Sequence, residues 1–168
     1  LAYGLSWTRT GAQGLESNLT VGQVLRDAPQ PDFSQTSGLS GKNSDLLVAG
    51  QILSEGGLSF SGRALLGDDL GLSKAEARAS YQQKRFGIGA SYLWLGADPD
   101  EDRAATLAEL SLDGLYRFSR HWTGSASMRY DVSADEAAEA ALGLQYRNEC
   151  VKVDLSLSRR FTSSTILS

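Results

Sequence analysis

The feature that most limits what this chain can fold into is a side-chain period of two, held over nearly its whole length. From position 150 onward, Val151, Val153, Leu155 and Leu157 fall on one parity, with Lys152, Asp154, Ser156, Ser158 and Arg160 on the other. The segment before it places Ala138, Ala140, Leu142, Leu144 and Tyr146 against Glu139, Gly143, Gln145 and Arg147. Trp122 to Tyr130, Leu110 to Phe118 and Phe86 to Trp94 repeat the pattern. Alternation this long is β-structure with one dry face and one wet face. Two stretches carry good helix formers, Ala75 to Ala79 and Glu136 to Ala141. In the first, Lys74, Glu76 and Arg78 alternate with alanine, which on a helix would spread charge around every side. Both are therefore read as strands.

About ten strands result, near 1–9, 17–26, 44–54, 57–67, 72–82, 85–95, 105–118, 121–131, 135–147 and 150–161. Short turns at Glu55-Gly56, Gln83-Lys84, Ser119-Arg120 and Asn148-Glu149 alternate with longer polar connections at 27–43, 68–71 and 96–104, and a shorter one at 132–134. The expected fold is an all-β antiparallel up-and-down meander. Tight turns at one end and longer loops at the other are the habit of outer-membrane barrels.

The two faces sharpen that expectation. The aromatics fall near strand ends, at Tyr3, Trp7, Tyr81, Phe86, Tyr92, Trp94, Tyr116, Phe118, Trp122, Tyr130, Tyr146 and Phe161, as in two girdles bordering an apolar band. The other parity carries Arg63, Lys74, Arg78, Glu109, Asp113, Arg117, Arg129, Asp131, Glu139, Arg147, Lys152, Asp154 and Arg160. Such a face needs water, as a barrel lumen supplies. A mean hydropathy of −0.24 is then the average of a lipid face and a wet one. A soluble β-sandwich is the rival architecture, its apolar faces covered by a second sheet. Because Leu1 begins inside a pattern and no closing strand is evident after Phe161, residues 1–168 are expected to be one part of a larger barrel.

Composition excludes several functions. The 168 residues carry 16 Lys and Arg against 20 Asp and Glu, a formal charge of −4, so no basic surface for nucleic acid is expected. One cysteine and one histidine preclude a self-contained disulfide framework and a Cys- or His-based metal cluster. No apolar run reaches the length of a membrane-spanning helix, and no signal peptide is visible. His121, between Arg120 and Trp122, has no nucleophile or acid beside it and reads as an interfacial residue. The acidic loop at Asp98 to Asp102 lacks the glycine and ligand spacing of an EF-hand and reads as solvated, with loose divalent-cation binding as the alternative. Neither cofactor nor catalytic residue is expected.

Three stretches resemble one family, the outer-membrane lipopolysaccharide-assembly protein LptD, also described as an organic-solvent-tolerance protein, in its alphaproteobacterial form. They are Ser17 to Val24 with its Gly22-Gln23 pair, Phe33 to Asp45, and Leu142 to Val151 running on to Phe161. The third resembles the family's C-terminal hairpin, where a tyrosine is followed by cysteine at a turn. The resemblance implies a C-terminal barrel segment, without the periplasmic jellyroll and earlier strands, working in lipopolysaccharide delivery to the outer leaflet of a Gram-negative outer membrane. It implies a plug lipoprotein, LptE, against the polar face, and the bridge protein LptA reached through the N-terminal domain. It also implies that Cys150 forms a disulfide with a cysteine outside this chain, on the periplasmic side. A porin or other passive channel segment shares the alternation without needing that hairpin.

Overall fold

The computed structural model describes residues 1–11, 14–25, 43–67, 71–99, 102 and 104–161. Ten strands run through them: β1 (Ala2–Thr10), β2 (Glu16–Val24), β3 (Leu46–Leu53), β4 (Leu58–Leu66), β5 (Leu72–Gln82), β6 (Phe86–Leu95), β7 (Leu107–Arg117), β8 (Trp122–Asp131), β9 (Glu136–Arg147) and β10 (Lys152–Arg160). They form a single antiparallel sheet whose spatial order is the sequence order, β1 to β10. The helix-prone segments lie inside β5 and β9, where neighbours on both sides hold the backbone. Pairing of that kind overrides intrinsic preference.

A sandwich requires a second sheet, and all ten strands belong to one. The sheet has no covered core. Ala108 is the one buried apolar side chain among the described residues, while Leu5, Leu142 and Leu157 are 74%, 62% and 72% exposed. Hydrophobic surface left open on this scale requires another apolar phase against it. β1 and β10 are the two edges, and every residue of both is exposed.

The tight turns all lie at one end of the sheet. Gln83 N–H donates to Phe86 O at 2.7 Å, Phe118 N–H to Trp122 O at 3.0 Å, and Asn148 N–H to Val151 O at 2.9 Å. In the turn after β3, Gly57 has φ of +88°, and a Cβ there would meet the carbonyl oxygen of Gln82 at 2.0 Å. Only glycine fits both conditions. The opposite end carries the connections after β2, β4, β6 and β8.

Of two register shifts in the sheet, at Leu65/Leu66 and at Arg129/Tyr130, the second resets the pattern. Arg129 pairs with Glu139 and Tyr130 with Ala137, so the β8–β9 ladder shifts register between Arg129 and Tyr130. Strict alternation assigns Ala138 to the apolar parity and Glu136 with it. The bulge makes Ala138 the extra residue and brings Ala137 opposite Tyr130 and Glu136 opposite Asp131. Both glutamates of β9 thereby share the polar face.

Candidate functional site: a charged face built from one strand parity

The pairing register determines which side chains share a face. One row across the sheet reads Ser6, Thr20, Ala49, Arg63, Glu76, Leu93, Glu109, Asp131 and Glu136. The next reads Thr8, Asn18, Gln51, Ser61, Arg78, Ser91, Ser111, Arg129, Glu139 and Arg160. Followed along the strands, this parity holds all thirteen charged residues singled out from the sequence.

Their side chains divide into groups. Glu76 is a hub, 2.6 Å from Arg63 Nε and 2.9 Å from Lys74 Nζ. It is absent from the thirteen, although its alternation with Lys74 and Arg78 on β5 was the available signal. Arg78 Nη2 meets Asp113 Oδ1 at 3.0 Å. Glu139 Oε2 lies 2.9 Å from Arg129 Nη2 and 3.9 Å from Arg160 Nε, and Arg129 Nε is 3.8 Å from Glu109. Lys152 Nζ pairs with Asp154 at 3.0 Å, and Gln145 donates to the same carboxylate at 2.6 Å. The other three residues serve turns. Asp131 accepts the N–H groups of Ser133 and Ala134 at 2.9 and 3.0 Å. Arg117 donates to Lys84 O at 3.3 Å, and Arg147 O meets His121 Nδ1 at 3.0 Å. Arg63, Arg78 and Arg129 thus each balance a carboxylate; Arg147 pairs with none among the described residues.

Toward β1 the face becomes neutral. Asn18 donates to Thr8 at 2.8 Å, and the hydroxyls of Ser6 and Thr20 lie 3.2 Å apart. A cavity of about 690 Å³ on this side is lined by residues from Asn18 on β2 to Glu109 and Ser111 on β7. Strands lie about 4.8 Å apart, so β2 and β7 are about 24 Å apart along the sheet. One cavity therefore runs along the charged side from β2 to β7. The ion pairs are half exposed and worth about 0.2–1 kcal/mol each. Their contribution to stability is small; their effect is a hydrated lining of mixed sign.

The other parity is apolar and aromatic. Near the tight turns, Tyr81 and Phe86 have ring centroids 5.8 Å apart, Tyr116 and Phe118 5.2 Å, and Trp122 and Tyr146 4.9 Å. His121 joins the last pair, 5.9 Å from Tyr146. Phe86 and Trp94 lie eight residues apart on β6. At about 3.4 Å per residue that is about 27 Å along the strand, or about 21 Å in height at a tilt of about 40°. An apolar barrel band is about 25 Å tall. Phe60 departs from the girdle pattern, facing Ile52 and Ala79 in mid-sheet.

The remaining sequence expectations fall as follows. Cys150 is an exposed free thiol in the last tight turn, where Asn148 Oδ1 accepts its N–H at 2.9 Å and that of Val151 at 2.7 Å. Asp98 corrects the picture of a solvated acidic loop: it is fully buried. Asp100 and Glu101 lie outside the described residues, as does most of the stretch from Phe33 to Asp45. Of the first resembling stretch, Gln23 on β2 bonds to β1 and to the segment just before β3. It accepts the hydroxyl of Tyr3 and donates to Ser44 O at 2.8 Å.

No curated protein matches the chain at a significant level. A family model does, that of LptD, described as LPS transport system D, over residues 1–122. The match takes in β1 to β7 and ends at Trp122, so it includes Ser17 to Val24 and Phe33 to Asp45 and stops short of the hairpin around Cys150. With 122 of 168 residues matched, and a sheet charged on one face and apolar on the other, the chain belongs to the LptD family.

Proposed function

We propose that residues 1–168 form a C-terminal segment of a transmembrane barrel that delivers lipopolysaccharide to the outer leaflet of the outer membrane. The observation that carries this is the segregation by parity: ion pairs and hydroxyls around a cavity on one face, exposed leucines and aromatic rings on the other. Exposed leucines at this density are stable in lipid, and strand edges are not, so β1 and β10 each pair with a strand outside the chain. The polar face lines the lumen, where saccharide and phosphate stay hydrated while acyl chains remain in the bilayer. The process is passage and involves no catalysis. A plug lipoprotein of the LptE type occupies the lumen, and LptA reaches the barrel through an N-terminal periplasmic domain. The tight turns face the periplasm, and Cys150 on the last of them bonds to a cysteine of that domain.

Conditional depletion of the full-length protein tests the reading. Newly made lipopolysaccharide is expected to vanish from the cell surface while outer-membrane porins continue to assemble. Undiminished surface delivery would contradict it.

A further inference from the structure

The charged face is not uniform along its length. In the middle, every cation named above has a carboxylate: Arg63, Lys74, Arg78 and Arg129 are all paired. At the tight-turn end the balance fails. Lys84 and Arg85 lie between β5 and β6, Arg117 ends β7, Arg120 lies in the following turn and Arg147 ends β9. None of the five forms an ion pair among the described residues, and all are exposed. Two like-charged pairs stand directly across strands. Arg147 is opposite Lys152, and Arg117 N–H donates to Arg85 O at 2.7 Å. Like charges so placed are destabilising in an empty sheet. By parity, Arg85, Arg117 and Arg147 share the polar face. The carboxylates at this end are Glu149 in the last turn, Asp154, which is already held by Lys152 and Gln145, and Glu55 and Glu16 toward β2.

The connections after β2, β4, β6 and β8 contain ten Asp and Glu against three Lys and Arg in sequence. A cationic mouth beside a neutralised interior draws anions to the mouth.

From this juxtaposition we propose that Arg85, Arg117 and Arg147 form a subsite at the tight-turn mouth for the phosphate groups of an anionic glycolipid. It rests on the lumen reading above. Guanidinium groups offer forked donors that match phosphate oxygens in pairs, and an incoming phosphate relieves the opposed like charges. The neighbouring interior, already paired, holds no second cluster of open cations, so the anion is detained at the mouth. The aromatic pairs Tyr81–Phe86 and Tyr116–Phe118 on the other face fix this end of the sheet at the membrane boundary, within reach of lipid headgroups.

The test uses the full-length protein with its partner subunits in nanodiscs, probed with bis-phosphorylated lipid A, its dephosphorylated form and phosphatidylglycerol. R117Q/R147Q is expected to weaken binding of bis-phosphorylated lipid A about tenfold and to flatten its salt dependence. Dephosphorylated lipid A is expected to bind weakly to both proteins, R117K/R147K to recover part of the affinity, and R159Q, which removes a charge on the outer face, to bind normally. Unchanged lipid A affinity in R117Q/R147Q would overturn the proposal. So would an equal loss for the dephosphorylated form, equal binding of phosphatidylglycerol, or release of a partner subunit with lipid A binding intact. Alternating solvent access along β7 reports the lumen separately, so unchanged affinity beside normal access defeats the subsite alone.

Discussion

Arg78 on β5 reaches Asp113 on β7 across the whole width of β6, and the space it crosses is the missing side chain of Gly89. A Cβ at Gly89 would lie 2.8 Å from both Asp113 carboxylate oxygens and 3.0 Å from Arg78 Nη2. The pair therefore depends on a glycine that belongs to neither partner. Gly89→Ala is expected to cost up to about 1 kcal/mol, the range of an exposed ion pair. Asp113→Asn should cost little further in the Gly89→Ala background. Urea unfolding of the detergent-folded full-length protein, run as a double-mutant cycle, checks this; fully additive costs would refute it.

Gly57 gives a larger effect in a place remote from charge. With φ of +88° and the Gln82 carbonyl 2.0 Å from a built Cβ, Gly57→Ala must move the hairpin between β3 and β4. A loss of about 2 kcal/mol is expected. Its neighbour Gly56 has no positive φ, and its Cβ would meet only Ser54 Oγ at 3.4 Å, so Gly56→Ala should be close to neutral. Equal effects of the two substitutions in the same unfolding measurement would contradict the turn geometry.

Parity predicts opposite responses at adjacent positions. Leu112, in the middle of β7, faces the apolar side, and Ser111 faces the charged side. Leu112→Arg is expected to destabilise the folded barrel by about 2–4 kcal/mol, the cost of a cation at mid-membrane on the lipid face. Ser111→Arg keeps its charge in water, so even with Arg129 directly opposite it should cost less than about 1 kcal/mol. Refolding into lipid vesicles followed by gel mobility measures both.

Cys150 is exposed in a tight turn, so its chemistry depends on what docks there. If it bonds to the periplasmic domain, full-length protein from cells should take up a maleimide at Cys150 only after reduction. Cys150→Ser should abolish the mobility difference between reduced and non-reduced samples. Labelling without reductant would rule the bond out.

The fold was legible because its signal is repetitive. Alternation at Phe86 to Trp94 or Leu110 to Phe118 needs no partner to be read, and it outweighed the helix preference of Ala75 to Ala79. What escaped depends on contacts between distant positions. The bulge at Arg129 and Tyr130 lets Glu136 and Glu139, three residues apart, share the charged face. That phase reset shows only when β8 is laid against β9. Glu76 looked like one charge in an alternating run, and its role as a hub appears once β4 brings Arg63 across from it. Arg78 and Asp113 are 35 residues apart, and nothing local links either one to Gly89. Asp98 departs from the expected solvated loop: loop carboxylates are usually exposed, and nothing local in the sequence marks this one as buried.

The central claim is that one strand parity faces water and the other faces lipid, and β7 offers the most direct test of it. Single cysteines are placed at Ala108, Glu109, Leu110, Ser111, Leu112 and Asp113 in a full-length background with Cys150 and every cysteine outside this chain replaced by serine, in intact outer membranes. Labelling by a small water-soluble maleimide is expected at 109, 111 and 113 and not at 108, 110 and 112. Uniform labelling, or labelling of the even positions, would contradict a wet lumen on the charged face.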